Sequence, residues 1–182
     1  IDSTGEFYTT WGLPFPRGRG QSINGYGDEE YVFGASGGAS LYRIDMLQEI
    51  GLFDETYFAY YEDTDISYRA QLYGWKVTYN PQSITLHKMG ATSKKMIRGF
   101  TVYQTMKNLP MLFWKNTPLS LLFPIGARFM LAYTLILGKA LVSTNSLPAL
   151  KGFLMSLLLI PHTLFSRFKI QKYKRVSEKK KK

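Results

Sequence analysis

The stretch Phe58–Arg69, "FAYYEDTDISYR", sets three carboxylates, Glu62, Asp63 and Asp65, behind a lead-in of four residues of which three are aromatic. From Asp63 to Tyr73 the residues Ile66, Ala70 and Tyr73 recur at helical spacing and Gly74 follows as a stop. The spacing predicts a helix whose N-terminus lies at the acids. A helix N-terminus stabilises carboxylates through its unpaired N–H groups and dipole, and Asp65 and Arg69 stand i,i+4 and can pair. Capping explains Asp65 and Arg69, but it gives no reason for Glu62 or for Phe58, Tyr60 and Tyr61. A general base for a sugar hydroxyl needs a rigid carboxylate in a partly desolvated pocket, and aromatic side chains make such a pocket. Composition permits both readings.

Upstream, "GASGGAS" at 34–40 lets backbone approach a ligand closely at Gly37 and Gly38, which have no Cβ. It is not a phosphate loop: no Lys-Ser/Thr follows, and the glycines miss G-x-G-x-x-G. A tight structural turn and a substrate-facing loop both fit. "RIDMLQEIG" predicts a short helix with Ile44, Leu47 and Ile50 on one face and Gly51 as its stop. Residues 1–33 are dense in Gly and Pro and read as one long loop.

Downstream, "WKVTYNPQSITLH" gives two extended runs separated by "NPQS", the second ending at His87. Helices and short strands in this order indicate the back half of an α/β domain. His87 alone is more often a packed or solvent-facing residue than a ligand, and as a ligand it needs partners to hold Mg²⁺ or Mn²⁺. The one Asp-X-Asp spacing is Asp63-Thr64-Asp65, on the predicted helix. The metal's other ligands are therefore expected from outside this chain.

The 182 residues allow one domain with appendages, and the absence of cysteine excludes disulfides and thiolate metal sites. The formal charge of +10 is unevenly spread. Residues 1–65 carry net −9 and residues 66–182 net +19, of which +8 falls in "RFKIQKYKRVSEKKKK", 167–182. Between Pro110 and Phe168 the chain is apolar, with Lys115, Arg128, Lys139 and Lys151, the tail's Arg167 at its end and no acid. Its longest clean runs, Phe129–Gly138 and Gly152–Phe165, have the length of interfacial helices, and Pro161 interrupts the second. Apolar helices followed by a polybasic tail predict a segment lying on an anionic membrane surface, with the tail cytoplasmic. Two tilted spans with snorkelling Arg128 and Lys139, or an apolar helical subdomain packed inside a soluble protein, are the alternatives. Nucleic-acid binding wants bases interleaved with stacking aromatics on a folded face, which this arrangement lacks, so no nucleic-acid partner is expected.

Taken in order, "GASGGASLYR", "IGLFDETYFAYYEDTDISYRAQLYGWKVTYNP" and "ITLHKMGATS" resemble the inverting family 2 glycosyltransferases of GT-A fold, in particular the rhamnosyltransferase-like branch that builds surface polysaccharides. The likeness runs from about Ile1 to Asn108. It implies that Asp63 deprotonates the acceptor hydroxyl, that Glu62 and Asp65 shape its field and contact the acceptor, and that Arg69 holds Asp65. It further implies that Gly37, Gly38, Tyr60, Tyr61 and Trp75 contact substrate and that His87 helps bind a divalent metal at the donor diphosphate. The partners are then a nucleotide-sugar donor, a saccharide or lipid-linked acceptor and an anionic membrane surface, at the cytoplasmic face of the cell membrane. The family's nucleotide-binding half is expected to precede Ile1. The expected division is a partial GT-A domain at 1–108, a membrane-associated helical region at 109–166 and a polybasic tail at 167–182. A non-catalytic membrane-bound remnant or accessory subunit is the alternative.

Overall fold

A computed structural model describes residues 1–88, 90 and 95–176. The end of "ITLHKMGATS" and the last six residues of the basic tail lie outside the described residues. The described chain mixes small sheets with longer helices. Strands β1 (Glu6–Tyr8) and β2 (Pro14–Pro16) form an antiparallel hairpin in register Glu6↔Pro16 and Tyr8↔Pro14. Residues 1–33 are therefore not one loop: prolines sit in a strand whose outer edge is unpaired, where their missing N–H costs nothing. Strand β3 (Glu30–Val32) pairs antiparallel with β4 (Val77–Tyr79). Buried Arg17 ties the two sheets together, bonding the Thr4 hydroxyl at 2.8 Å, pairing with Glu30 and lying over the Tyr26 and Tyr79 rings. The second extended run expected at 84–87 forms no strand; Ile84 and Leu86 are exposed and pair with no strand among the described residues.

Helix α1 (Ile44–Ile50) ends at Gly51, whose φ of 85° lets its N–H close back on the Leu47 carbonyl. Its buried face is Met46 and Ile50 with part of Leu47, whereas Ile44, expected on that face, is exposed. Helix α2 (Glu62–Leu72) is buried from Thr64 to Ala70 and is the central element of the site.

Helix α3 (Phe100–Asn116) runs straight through the expected 108/109 boundary, and its polar residues Lys107, Asn108, Lys115 and Asn116 are buried against the α2 side. Helix α4 (Leu119–Leu141) packs on α3 through Phe129 and Tyr133, with the Phe113 and Phe129 rings stacked at 4.0 Å. The expected run Phe129–Gly138 is thus only part of one continuous 23-residue helix. Helix α5 (Ser146–Leu158) lies against α3 so closely that Gly152 faces the Tyr103 carbonyl with no room for a Cβ. Helix α6 (Ile160–Tyr173) departs from α5 at 54°, with Pro161 in its first turn. α4 is long and apolar enough to cross a membrane, with a mean hydropathy of 1.7 over its most apolar window. The bent α5–α6 pair meets the same measure of length and composition only if taken as one broken span.

Candidate functional site

Three aromatic or bulky residues with positive φ stand just before α2: Phe58 at 61°, Tyr60 at 68° and Tyr61 at 73°. Left-handed backbone strains such residues by about 1–2 kcal/mol each, so something must hold them there. The clamp is on α3. The Asn108 amide donates to the carbonyls of Tyr57, Ala59 and Tyr60 at 3.0, 2.9 and 2.8 Å, and Lys107 donates to the carbonyls of Thr56 and Tyr57. Tyr61, half-buried against α3 residues, is the N-cap of α2 and supplies no side-chain cap, so the turn delivers Glu62 and Asp63 to the first helical positions.

Asp63 lies under the glycine loop. The Gly37 N–H donates to its Oδ2 at 2.8 Å, and the Thr64 N–H donates to its Oδ1 at 2.8 Å. A Cβ on Gly37 would stand 3.2 Å from that Oδ2, whereas Gly38 has open space around it. The loop is pressed onto α2 at Gly34, where a Cβ would meet Ser67 at 2.9 Å.

A third carboxylate joins Glu62 and Asp63. Glu6, on β1, accepts from the Thr64 hydroxyl at 2.8 Å. Burial, with the Asp63 charge adding to it, pushes the Glu6 carboxyl up to about 8. Burial also raises Glu62, one of whose oxygens has no hydrogen-bond partner among the described residues. Carboxyls raised by burial and set beside another carboxylate are what proton-transfer sites are built from. Sequence reading missed Glu6 because it falls in the stretch read as loop, 58 residues from its partner Thr64.

Asp65 is elsewhere. Fully buried on the opposite side of the helix start, it receives Arg69 Nε at 2.9 Å, Lys115 Nζ at 3.0 Å, Asn116 Nδ2 at 2.8 Å and the Tyr57 hydroxyl at 3.2 Å. Burial would raise its carboxyl, but Lys115 and then Arg69 outweigh that and leave it below the usual range. An acceptor cannot reach it, so the expected contact between Asp65 and acceptor does not hold. Arg69 is spent on Asp65 and on the carbonyls of Ile50, Gly51 and Leu52, which removes it from the substrate-contacting set as well.

Lys115 also bonds Asp54 at 2.7 Å, and His162 on α6 meets the same carboxylate at 2.9 Å. This buried network joins α2, α3 and α6, and its lysine had read as one more charge in the apolar region. Of the remaining candidates, the Tyr60 hydroxyl meets Thr101 Oγ1 at 3.0 Å and stays half-buried. Trp75 donates to Glu49 Oε2 at 2.7 Å and packs with the α1–α2 cluster, apart from the glycine loop's contacts.

His87 is exposed and its Nδ1 lies 2.5 Å from Asp2 Oδ2, which together with Arg19 lowers the Asp2 carboxyl despite partial burial. An imidazole and one carboxylate are too few donors for Mg²⁺ or Mn²⁺, and among the described residues no group of three acids or histidines gathers to hold an ion. Comparison with protein-family models, with curated proteins and with solved structures yields no match to this chain.

Proposed function

We propose that the chain is the acceptor-side part of an inverting family 2 glycosyltransferase of GT-A type, of the rhamnosyltransferase-like branch. It moves a sugar from a nucleotide-sugar donor to a saccharide or lipid-linked acceptor during surface polysaccharide synthesis, at the cytoplasmic face of the cell membrane. The observation that supports this best is the placing of Asp63: a clamped left-handed turn carries it, a glycine loop lies on it, and two partly buried acids flank it. Strain maintained at such a turn is characteristic of functional sites.

Asp63 takes the proton of the acceptor hydroxyl as that oxygen bonds to the donor's anomeric carbon from the face opposite the leaving group. The bond to the nucleoside diphosphate breaks with its electron pair, and the anomeric configuration inverts. Glu62 and Glu6 set the field around Asp63, and Tyr60 and Tyr61 wall the acceptor side. A divalent metal, when bound, would offset the charge of the departing diphosphate, with His87 as one ligand and the others from outside this chain.

The test is sugar transfer by membranes carrying Asp63→Asn in this chain joined to a nucleotide-binding half. Transfer should fall about 10²- to 10⁴-fold with the fold unchanged, and retained transfer would remove Asp63 from the role. One observation favours the non-catalytic alternative: both Asp63 oxygens already accept backbone N–H groups, as a purely structural acid's do. That reading expects Asp63→Asn to lower the melting temperature and leave polysaccharide output untouched.

A further inference from the structure

The apolar helices leave a groove beside the strained turn. Between the segment leading into α3 and the start of α5 it encloses about 400 Å³, walled by Ile97, Phe100, Leu147 and Pro148. Arg98 and Lys151 line the same groove, and both are exposed with no ion pair among the described residues. The segment is joined to the candidate site: the Phe100 ring packs edge-on against Phe58 at 6.1 Å, and Thr101 bonds the Tyr60 hydroxyl. From the groove an exposed apolar stripe, Leu147, Leu150, Leu154 and Leu157, continues along one face of α5. At 1.5 Å per residue it runs for about 15 Å.

The side chains of Ile97, Phe100, Leu147 and Pro148 offer a free sugar no hydrogen-bond partner. Two cations beside an apolar channel suit a ligand with a phosphate at one point and a long hydrocarbon chain on one side of it. We propose that the groove seats the phosphate or diphosphate of a lipid-linked acceptor. Arg98 and Lys151 hold the anion, the lipid chain follows the α5 leucines, and the sugar beyond the phosphate extends past Tyr60 toward Asp63. This rests on the transferase reading and narrows its acceptor to the lipid-linked class.

The test is binding of geranylgeranyl phosphate to the full chain in nanodiscs of neutral phosphatidylcholine. Saturable binding is expected, weakened at least ~10-fold by Arg98→Gln with Lys151→Gln and restored by Arg98→Lys with Lys151→Arg. Leu147→Asp, which keeps both cations, should weaken the lipid phosphate and leave inorganic phosphate unaffected. Undiminished binding by the double variant overturns the proposal. So does displacement by inorganic phosphate at no more than the probe's own concentration, which would mark a simple anion site, or equal competition from phosphatidylglycerol, which would mark a general membrane-lipid seat. Asp63→Asn should bind the probe as the unaltered chain does. If it binds and still transfers sugar, the base role of Asp63 fails and the groove stands; if Asp63→Asn abolishes transfer but no chain binds the probe, the groove fails alone.

Discussion

Lys115 and Asp65, 50 residues apart in the chain, meet at 3.0 Å with both side chains buried. The lysine answers a carboxylate that helix α2 carries into the interior, and Asp54 completes its coordination at 2.7 Å. Removing one partner from a buried pair leaves an uncompensated charge. Lys115→Ala should therefore destabilise the protein by about 3 kcal/mol or more. Thermal unfolding in detergent checks this; a loss of under about 1 kcal/mol would show that Arg69 and Asn116 suffice for Asp65.

Opposite pH dependences follow for Asp65, fully buried on α2, and for the partly buried Glu6 on β1. Asp65 is held below its ordinary range, so its contribution is present above the unfolded carboxylate value near 4 and is lost as pH falls through the lower folded value. Glu6 is raised from 4.5 to about 8, so the folded chain binds a proton that the unfolded chain has released. Stability should then decline as pH rises from about 4.5 to 8, by an amount on the order of 4 kcal/mol for this group. Glu6→Gln should flatten that decline; unfolding midpoints measured across the window for both chains give the comparison.

What could be read from sequence was local. The start of α2, its Asp65–Arg69 pair and the stops at Gly51 and Gly74 depend on neighbours within one turn. Glu6 and Lys115 could not be placed, because each gains its meaning from a partner 50 or more residues away. Alternation at Ile84 and Leu86 suggested a strand, but a strand needs an edge to pair with, which sequence does not supply. Positive φ at Phe58, Tyr60 and Tyr61 goes against residue preference, and the carbonyls of this turn are held by α3. One signal was available: the adjacent polar pair Lys107-Asn108 precedes an otherwise greasy helical stretch, and buried polar residues there need partners.

That clamp makes Asn108 a second point of leverage on the site. Asn108→Ala leaves three turn carbonyls short of a donor while the strain of the turn persists. A loss of about 2–4 kcal/mol is expected, with sugar transfer falling further than the unfolded fraction explains because Asp63 is no longer held. Transfer that tracks only the folded fraction would show that the turn does not position the base.

Gly37 and Gly38 should part company. Neither has a left-handed φ, so an added methyl is judged by space alone. At Gly37 it would press on the Asp63 carboxylate from 3.2 Å, and at Gly38 it meets nothing. Gly37→Ala is expected to shift Asp63 by a few tenths of an ångström, leaving stability within about 1 kcal/mol and lowering transfer several-fold. Gly38→Ala should change neither. Equal effects of the two would mean that the loop acts through flexibility and not through its contact with Asp63.

Helix α4 carries the membrane prediction. Its buried side is Gly126, Phe129 and Tyr133, while Met130, Leu131 and Leu135 are exposed on the other side and 17% of its most apolar window is covered by the rest of the chain. A helix of this length and hydropathy with so little protein around it is stable in hydrocarbon and poorly placed in water. The protein should remain in the pellet after alkaline carbonate extraction of membranes. Leu131→Asp with Leu135→Asp adds about 2.5–3.5 kcal/mol per residue to insertion, and should release the chain to the supernatant or to aggregates. The bent α5–α6 pair would then be left to hold the surface, aided by Arg167, Lys169 and Lys172, so flotation of the double variant should depend on anionic lipid where the unaltered chain's does not. Unaltered protein that washes out in carbonate would instead place α4 against another protein surface.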